Sequence, residues 1–206
     1  MRVALLFVFF AIIGSLPASG QTYPSQIWHN GKLVTLEEDT LRGKIKYDLE
    51  NDLVQVNIGN TIQTYSSRKI LFYEIFDETI NNYRYFYSLP YNIQSDYKVP
   101  ILFEVLYEGE LTLLVREAIV VESAPQYSYY YQPVFNSTRT KLDFEYYFLD
   151  KEGNIERYTM KKKDLLRQMK KKAPQVKQYI KKNNLKHDRK NDLFRIIAYY
   201  NALLGA

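Results

Sequence analysis

The chain reads as an α+β protein: an antiparallel β meander forming a sandwich or a partly open barrel, followed by about three C-terminal helices. Three observations predict this. From Leu41 to Tyr158 aromatic and β-branched residues alternate with polar ones at period two. The runs are joined by short Gly- and Asn-containing connections, which imply antiparallel neighbours because parallel strands need long crossovers. After Tyr158 the apolar spacing becomes helical. The organisation expected is residues 1–20 as an export signal, 21–158 as the antiparallel β domain and 159–206 as a basic helical region packed on it.

The N-terminus carries the three parts of a secretory signal: Met1 and Arg2, an apolar run from Val3 to Ile13, and the small-residue end Ala18-Ser19-Gly20. The run is shorter than the roughly 20 residues a membrane helix requires, and Gly14, Ser15 and Pro17 interrupt it. Cleavage would leave Gln21 first, with no transmembrane segment in the mature chain. The expected location is therefore secreted or periplasmic. The chain has no cysteine, so burial alone must hold the fold together.

Leu41, Gly43, Ile45 and Tyr47 share one face of the first strand, with Arg42, Lys44, Lys46 and Asp48 on the other. Val54, Val56 and Ile58 share a face of the next. Gly59-Asn60 then makes a two-residue hairpin connection into Ile62 and Thr64, since glycine tolerates the positive φ such turns need. Ile70 to Phe76, Tyr83 to Tyr87, Ile101 to Tyr107 and Leu111 to Val121 are further strands, some apolar on both faces and hence covered. Glu108-Gly109-Glu110 links two of them. Leu142, Phe144, Tyr146 and Phe148 alternate, and Lys151-Glu152-Gly153-Asn154 turns the chain into Ile155 to Tyr158. The biased segment Tyr127 to Tyr131, between Pro125 and Pro133, is expected in a loop or at an edge.

Leu165, Leu166 and Met169 mark one face of a first helix. Pro174 suits the first turn of a second, striped by Val176, Tyr179 and Ile180. Asp188 can cap a third, in which Leu193, Ile196, Ile197, Tyr200 and Leu204 recur at helical spacing before Gly205.

Charge divides the chain. Residues 157–206 hold fifteen Lys/Arg against Asp164, Asp188 and Asp192, a balance of +12; with Arg2 set aside from the overall +5, residues 21–156 carry −8. Such asymmetry implies either a polyanion partner for the tail or docking of the tail on its own acidic body.

Most chemistries are poorly served. With no cysteine and no G-x-S-x-G elbow, only His29 and His187 could supply an imidazole base. His29, beside Trp28 and Gly31, reads as a surface turn residue, and His187 sits among lysines just before the third helix. Asp48, Glu50 and Asp52 alternate like the first ligands of a calcium loop, but Leu53 holds the glycine position and Gly59 the bidentate glutamate position, so a solvated hairpin connection is expected. H-E-x-x-H and the glycine-rich phosphate cradles are missing. No catalytic residue, metal ligand or cofactor-binding residue is assigned, and no cofactor. The alternative of an envelope glycan hydrolase would rest on Asp143 and Glu145, which share one side of a strand.

One constellation rises above this background. Lys161, Lys162, Lys163, Lys170, Lys171, Lys172, Lys181 and Lys182, near Tyr179, could track the phosphates or carboxylates of a polyanion. An exported protein seldom meets nucleic acid, so an anionic glycolipid, an acidic polysaccharide or an acidic envelope protein is the expected partner. The twenty tyrosines could stack on sugar rings, although tyrosine is also a favoured strand residue that leaves its hydroxyl in water. Asn136-Ser137-Thr138 fits an N-glycan acceptor.

Several groups taken together, Trp28-His29-Asn30-Gly31, Leu41, Gly43, Ile45 and Tyr47-Asp48, Phe103-Glu104-Val105-Leu106 before Gly109, Leu111, Leu113-Leu114, Arg116-Glu117 and the closing Tyr199-Tyr200-Asn201, resemble a family of uncharacterised secreted proteins of the Bacteroidota cell envelope. The similarity spans most of the chain after the signal. It implies a periplasmic or extracellular home and supplies no catalytic residue. Within that resemblance Asp39-Thr40-Leu41 looks like a short O-glycosylation acceptor. The expected role is non-enzymatic: binding or scaffolding in the envelope.

Overall fold

The structure is a computed structural model that describes residues 22–93, 97–123 and 138–205. The signal segment, Tyr127 to Tyr131 and Asn136 lie outside the described residues. Ten strands form one antiparallel sheet: β1 (His29–Thr35), β2 (Thr40–Asp48), β3 (Leu53–Ile58), β4 (Thr61–Ser66), β5 (Ile70–Asp77), β6 (Asn82–Asn92), β7 (Lys98–Tyr107), β8 (Thr112–Ser123), β9 (Thr138–Leu149) and β10 (Ile155–Arg157). Helices α1 (Lys162–Gln168), α2 (Ala173–Lys182) and α3 (Lys190–Leu204) follow. No helix among the described residues is long and apolar enough to cross a membrane.

The spatial order is β10-β9-β8-β7-β6-β5-β1-β2-β3-β4. It departs from a simple meander at one place, because β5 returns past β4, β3 and β2 to pair with the free edge of β1. Only Ser67–Lys69 separates β4 from β5. Four strand spacings of ~4.8 Å lie between those strands, whereas the connecting residues reach at most ~14 Å. The sheet must therefore coil on itself, and it does so as an open trough rather than a closed barrel. Gly31 and Gly43 face each other across β1 and β2 where the coil is tight. A Cβ on Gly31 would lie 2.1 Å from the Glu74 carbonyl oxygen, and one on Gly43 2.3 Å from that of Asn57.

The coil is held where β7 and β8 part. Their pairing ends at Glu104 and Val115, after which β8 pairs with β9 alone. The β2–β3 turn fills the gap. Asp52 accepts from the Leu102 N–H at 2.8 Å and from the Arg116 guanidinium at 2.8 Å, while Arg116 donates to the Leu102 carbonyl at 2.6 Å and to the Leu49 carbonyl. Side chains thus satisfy backbone groups that a continuous ladder would otherwise have paired.

Leu33, Ile45, Val54, Val56, Tyr73 and Phe86 fill the trough beneath the first strands. A second core, built on Leu113, Val115, Tyr146 and Phe148, is covered by Leu165, Met169, Val176, Leu193, Ile196 and Ile197 of the helices. The helices dock by these apolar stripes, as their spacing predicts. The Asn201 amide adds direction to this docking: it accepts from the Leu111 N–H at 3.0 Å and donates to the Leu111 carbonyl at 2.9 Å.

Three local expectations change. His29–Thr35, which carries only weak alternation, is a central strand, and His29 is buried against Tyr47 instead of lying in a surface turn. Asp188 does not cap α3; the N-cap is Arg189, and the first-turn carboxylate of Asp192 accepts from the Lys186 N–H at 3.0 Å. Of the acidic trio expected in a solvated turn, Asp52 is tied to Arg116 as described. Pro174 in the first turn of α2, positive φ at Gly59 and the turn at Lys151 to Asn154 follow the sequence reading.

Candidate functional site

Two features stand out: a buried ionic cluster beneath a cleft, and the cationic surface of the helices. The cluster arises because alternation places Arg84 of β6, Glu104 of β7 and Glu117 of β8 on the inner face of otherwise apolar strands. Asp77 closes β5 beside them. Arg84 uses all five of its donors. Nε and Nη2 bind Glu104 in a bidentate fork at 2.9 and 2.7 Å, Nη2 also reaches Glu117 at 2.9 Å, and Nη1 reaches the Tyr47 hydroxyl at 2.8 Å and Asp77 at 3.2 Å. Tyr47 in turn donates to Glu117, and Thr79 donates to Asp77 from its N–H at 3.0 Å and its hydroxyl at 2.6 Å.

Burial opposes the charge on Arg84, yet the Glu104 fork and the neighbouring carboxylate hold its pKa above the ordinary value. Burial pushes the hydroxyls of Tyr47 and Tyr73 well up, so both stay protonated. Burial also works against the Asp77 carboxylate, but the Thr79 donors and Arg84 outweigh it and hold its pKa below the usual value. Lys190 at the start of α3 approaches Glu104 at 3.9 Å and lies 5.0 Å from the centre of the Phe144 ring, linking the helical layer to the cluster.

Above the cluster lies a cleft of about 320 Å3 between the β2–β3 strands and the inner face of β8–β9. Lys46, Asp48, Gln55 and Glu117 give it polar walls, Ile119 and Leu142 apolar ones, and Ser25 and Gln26 approach from the N-terminal segment. Imidazole, hydroxyl and carboxylate do come near one another here, in His29, Tyr47 and Glu117. They are not arranged as a catalytic relay. His29 donates from Nε2 to the Pro24 carbonyl at 2.8 Å, so that nitrogen holds a proton, and its ring stacks on Tyr47 at 6.2 Å, while the Tyr47 hydroxyl bonds Glu117 and Arg84. Both oxygens of Glu117 are taken, by Tyr47 and Arg84. His187 shares a hydrogen bond of 2.9 Å with the Tyr158 hydroxyl, far along the chain from this group.

The other sequence candidates fall elsewhere. Asp143 is exposed on β9, and Glu145 on the same face is tied to Arg157 and to the Tyr147 hydroxyl, so neither lines the cleft. Among the described residues no group of three or more potential metal ligands converges. The sequence reading did not single out Arg84, Asp77, Glu104 and Glu117. Its available signal was charge at inward positions of strands that are apolar on both sides, as in Tyr83-Arg84-Tyr85-Phe86.

The eight lysines lie along α1, α2 and the 3-10 turn between them. Seven are exposed and Lys172 is half-buried. None has a carboxylate within 4.0 Å among the described residues. The ion pairs that link the helical region to the sheet involve Arg167 with Glu156 and Lys190 with Glu104 instead.

No protein-family model, no curated protein and no solved structure matches this chain.

Proposed function

We propose that this protein is a non-enzymatic binding or scaffolding protein of an exported compartment, and that its C-terminal helices offer a cationic surface to a polyanion such as an anionic glycolipid. One observation carries the reading. The lysines of α1 and α2 lie on a chain whose sheet region is acidic, yet among the described residues they make no ion pairs with it. The tail docks through its apolar stripes, leaving its charge available. Neutralising a polyanion with such a surface releases counterions, so binding weakens steeply with salt.

The N-terminal signal pattern and the resemblance to secreted envelope proteins support the compartment. The completed donor set of Arg84 and the engaged state of His29 and Glu117 support a structural role for the buried cluster. Asp143 and Glu145 lie outside the cleft, which supports a binding role over the glycan hydrolase alternative.

The test uses the full chain with vesicles of phosphatidylglycerol and phosphatidylcholine, together with a sulfated matrix. The expected result is retention that falls as salt rises, and that is lost when Lys162, Lys170, Lys171 and Lys181 are replaced by glutamate. Equal retention of that variant would remove the reading.

A further inference from the structure

Beyond Val115 the β8–β9 pair runs on without β7. Its register is unbroken from Thr112 opposite Leu149 to Ser123 opposite Thr138. Every second residue of β8 therefore turns its N–H and C=O toward the side that β7 has left. Among the described residues no backbone hydrogen bond meets residues 117–122 from that side. β8 thus carries a free edge in the interior of the strand order, not at its end.

This free edge lies in the cleft. Glu117, Ala118 and Ile119 line it from β8, and Leu142, the cross-strand partner of Ile119, from β9. The facing wall is a row set by register, in which Lys46 of β2, Gln55 of β3 and Thr64 of β4 stand side by side. At about 320 Å3 the space falls at the lower end of the range for ligand-binding clefts. Ala118, Ile119 and Val120 are half-buried, so the edge is neither open to solvent like an outer strand nor closed by a neighbour.

Two properties choose the occupant. The first is bonding: donors and acceptors recur along β8 about every 7 Å, a pattern that another extended backbone repeats. A sugar or a lipid headgroup can meet one or two of these groups but not the row. The second is the lining. Ala118, Ile119, Val120 and Val121 bring neither charge nor proline, devices that ordinarily close an edge to pairing. The Glu117 carboxylate is taken by Tyr47 and Arg84, and that of Asp48 by Asn51, while Gln55 and Thr64 across the cleft are neutral.

We propose that the cleft binds an extended, uncharged peptide segment of a partner protein, which adds to β8 as a strand on the track that β7 vacates. Its backbone pairs with the free edge, and small β-branched side chains fill the space between Ile119 and Gln55. The site is separate from the helical lysines and does not depend on their role.

The experiment titrates the full chain into a fluorescein-labelled hexapeptide of alternating threonine and valine, read by anisotropy, and into two versions N-methylated at all the threonines or at all the valines. Alternate residues face opposite edges of a strand, so only one methylated version loses the bonds to β8. The expected result is saturable binding of the parent peptide and of one methylated version, with the other weakened about tenfold or more. Gln55→Trp and Ile119→Trp narrow the cleft from its two walls with a strand-compatible residue, and each should weaken the parent peptide by a similar factor. A urea midpoint close to that of the unaltered chain identifies the variant that reports on the cleft. The variant with four helical lysines reversed binds the peptide unchanged, which separates this site from the helical surface. Equal binding of the two methylated versions overturns the proposal, as does a lack of saturable binding by the parent peptide. A dimer of the free chain that Gln55→Trp disperses also overturns it, by giving the cleft to a second copy.

Discussion

Asp52 and Arg116 meet at 2.8 Å in the gap where β7 and β8 separate, and the same Asp52 oxygen accepts the Leu102 N–H. A carboxylate from the β2–β3 turn thereby does the work of a missing strand neighbour. Both side chains are mostly covered, and removal of one leaves the other's charge and a backbone group short of partners. Asp52→Ala is expected to destabilise by about 2–4 kcal/mol in urea unfolding. Arg116→Met should cost a similar amount, and the double variant less than the sum because the shared contact is lost only once. A loss below about 0.5 kcal/mol for either single variant would mean that the turn is not what holds the coil closed.

Arg84 presents a sharper case, because it faces Asp77, Glu104 and Glu117 inside the sheet. Replacing it with methionine keeps much of the volume but leaves three carboxylates without their cation. The expected cost is at least about 3–5 kcal/mol, enough to unfold a marginal domain. Changing Glu104 to glutamine in the same chain should recover part of the loss, since one buried negative charge goes with it. If Arg84→Met is as stable as the parent by thermal unfolding, the cluster is not a structural clasp and the cleft above it needs another explanation.

Much of this fold was legible in the sequence. The alternation of Leu41, Gly43, Ile45 and Tyr47 marked a half-buried strand, Gly59-Asn60 a hairpin and Leu193 to Leu204 a docked helix, because each depends on local spacing. β1 escaped because Leu33 is the one apolar side chain among its inward positions, the others being His29, Gly31 and Thr35. One apolar residue makes no alternation, and burial of an imidazole against Tyr47 or of a bare backbone against Glu74 is decided by strands distant in sequence. The return of β5 to β1 is similarly non-local: the three-residue link looks like any turn until the strand order is known. The ionic cluster was hidden for the same reason, as Arg84 and Glu117 are separated by 33 residues and meet only after three strands have paired. The lysines of the helices were visible as a charge run, but whether they would neutralise the acidic sheet was a question for coordinates.

Asp77 sets an acid limit on this arrangement. Its pKa is lowered in the folded protein, with the Thr79 and Arg84 bonds overcoming the opposing effect of burial. A carboxyl depressed on folding contributes stability that is fully present above its ordinary value of 3.8 and is lost as pH falls through the folded value. Urea midpoints measured from pH 7 downward should therefore drop most steeply on the acid side of that value. Asp77→Asn should be less stable than the parent near neutrality, with the difference narrowing in acid. Parallel curves for the two proteins would show that Asp77 does not carry this part of the pH dependence.

Asn201 and Gly109 fix the helical layer to the sheet by contact as well as by hydrogen bonds. The Asn201 amide exchanges two bonds with the Leu111 backbone and donates a third to the Ile197 carbonyl at 3.0 Å. A Cβ on Gly109 would lie 2.6 Å from the Asn201 side-chain oxygen, so the amide and the bare glycine fit only as a pair. Asn201→Ala leaves the buried Leu111 groups without partners and should cost about 1–3 kcal/mol. Gly109→Ala should cost a comparable amount by displacing the same amide. With Asn201 already truncated, the added methyl meets no obstacle, so the double variant should be barely less stable than Asn201→Ala alone. Additive losses in chemical unfolding would show that Gly109 is required for its own turn and not for the amide it faces.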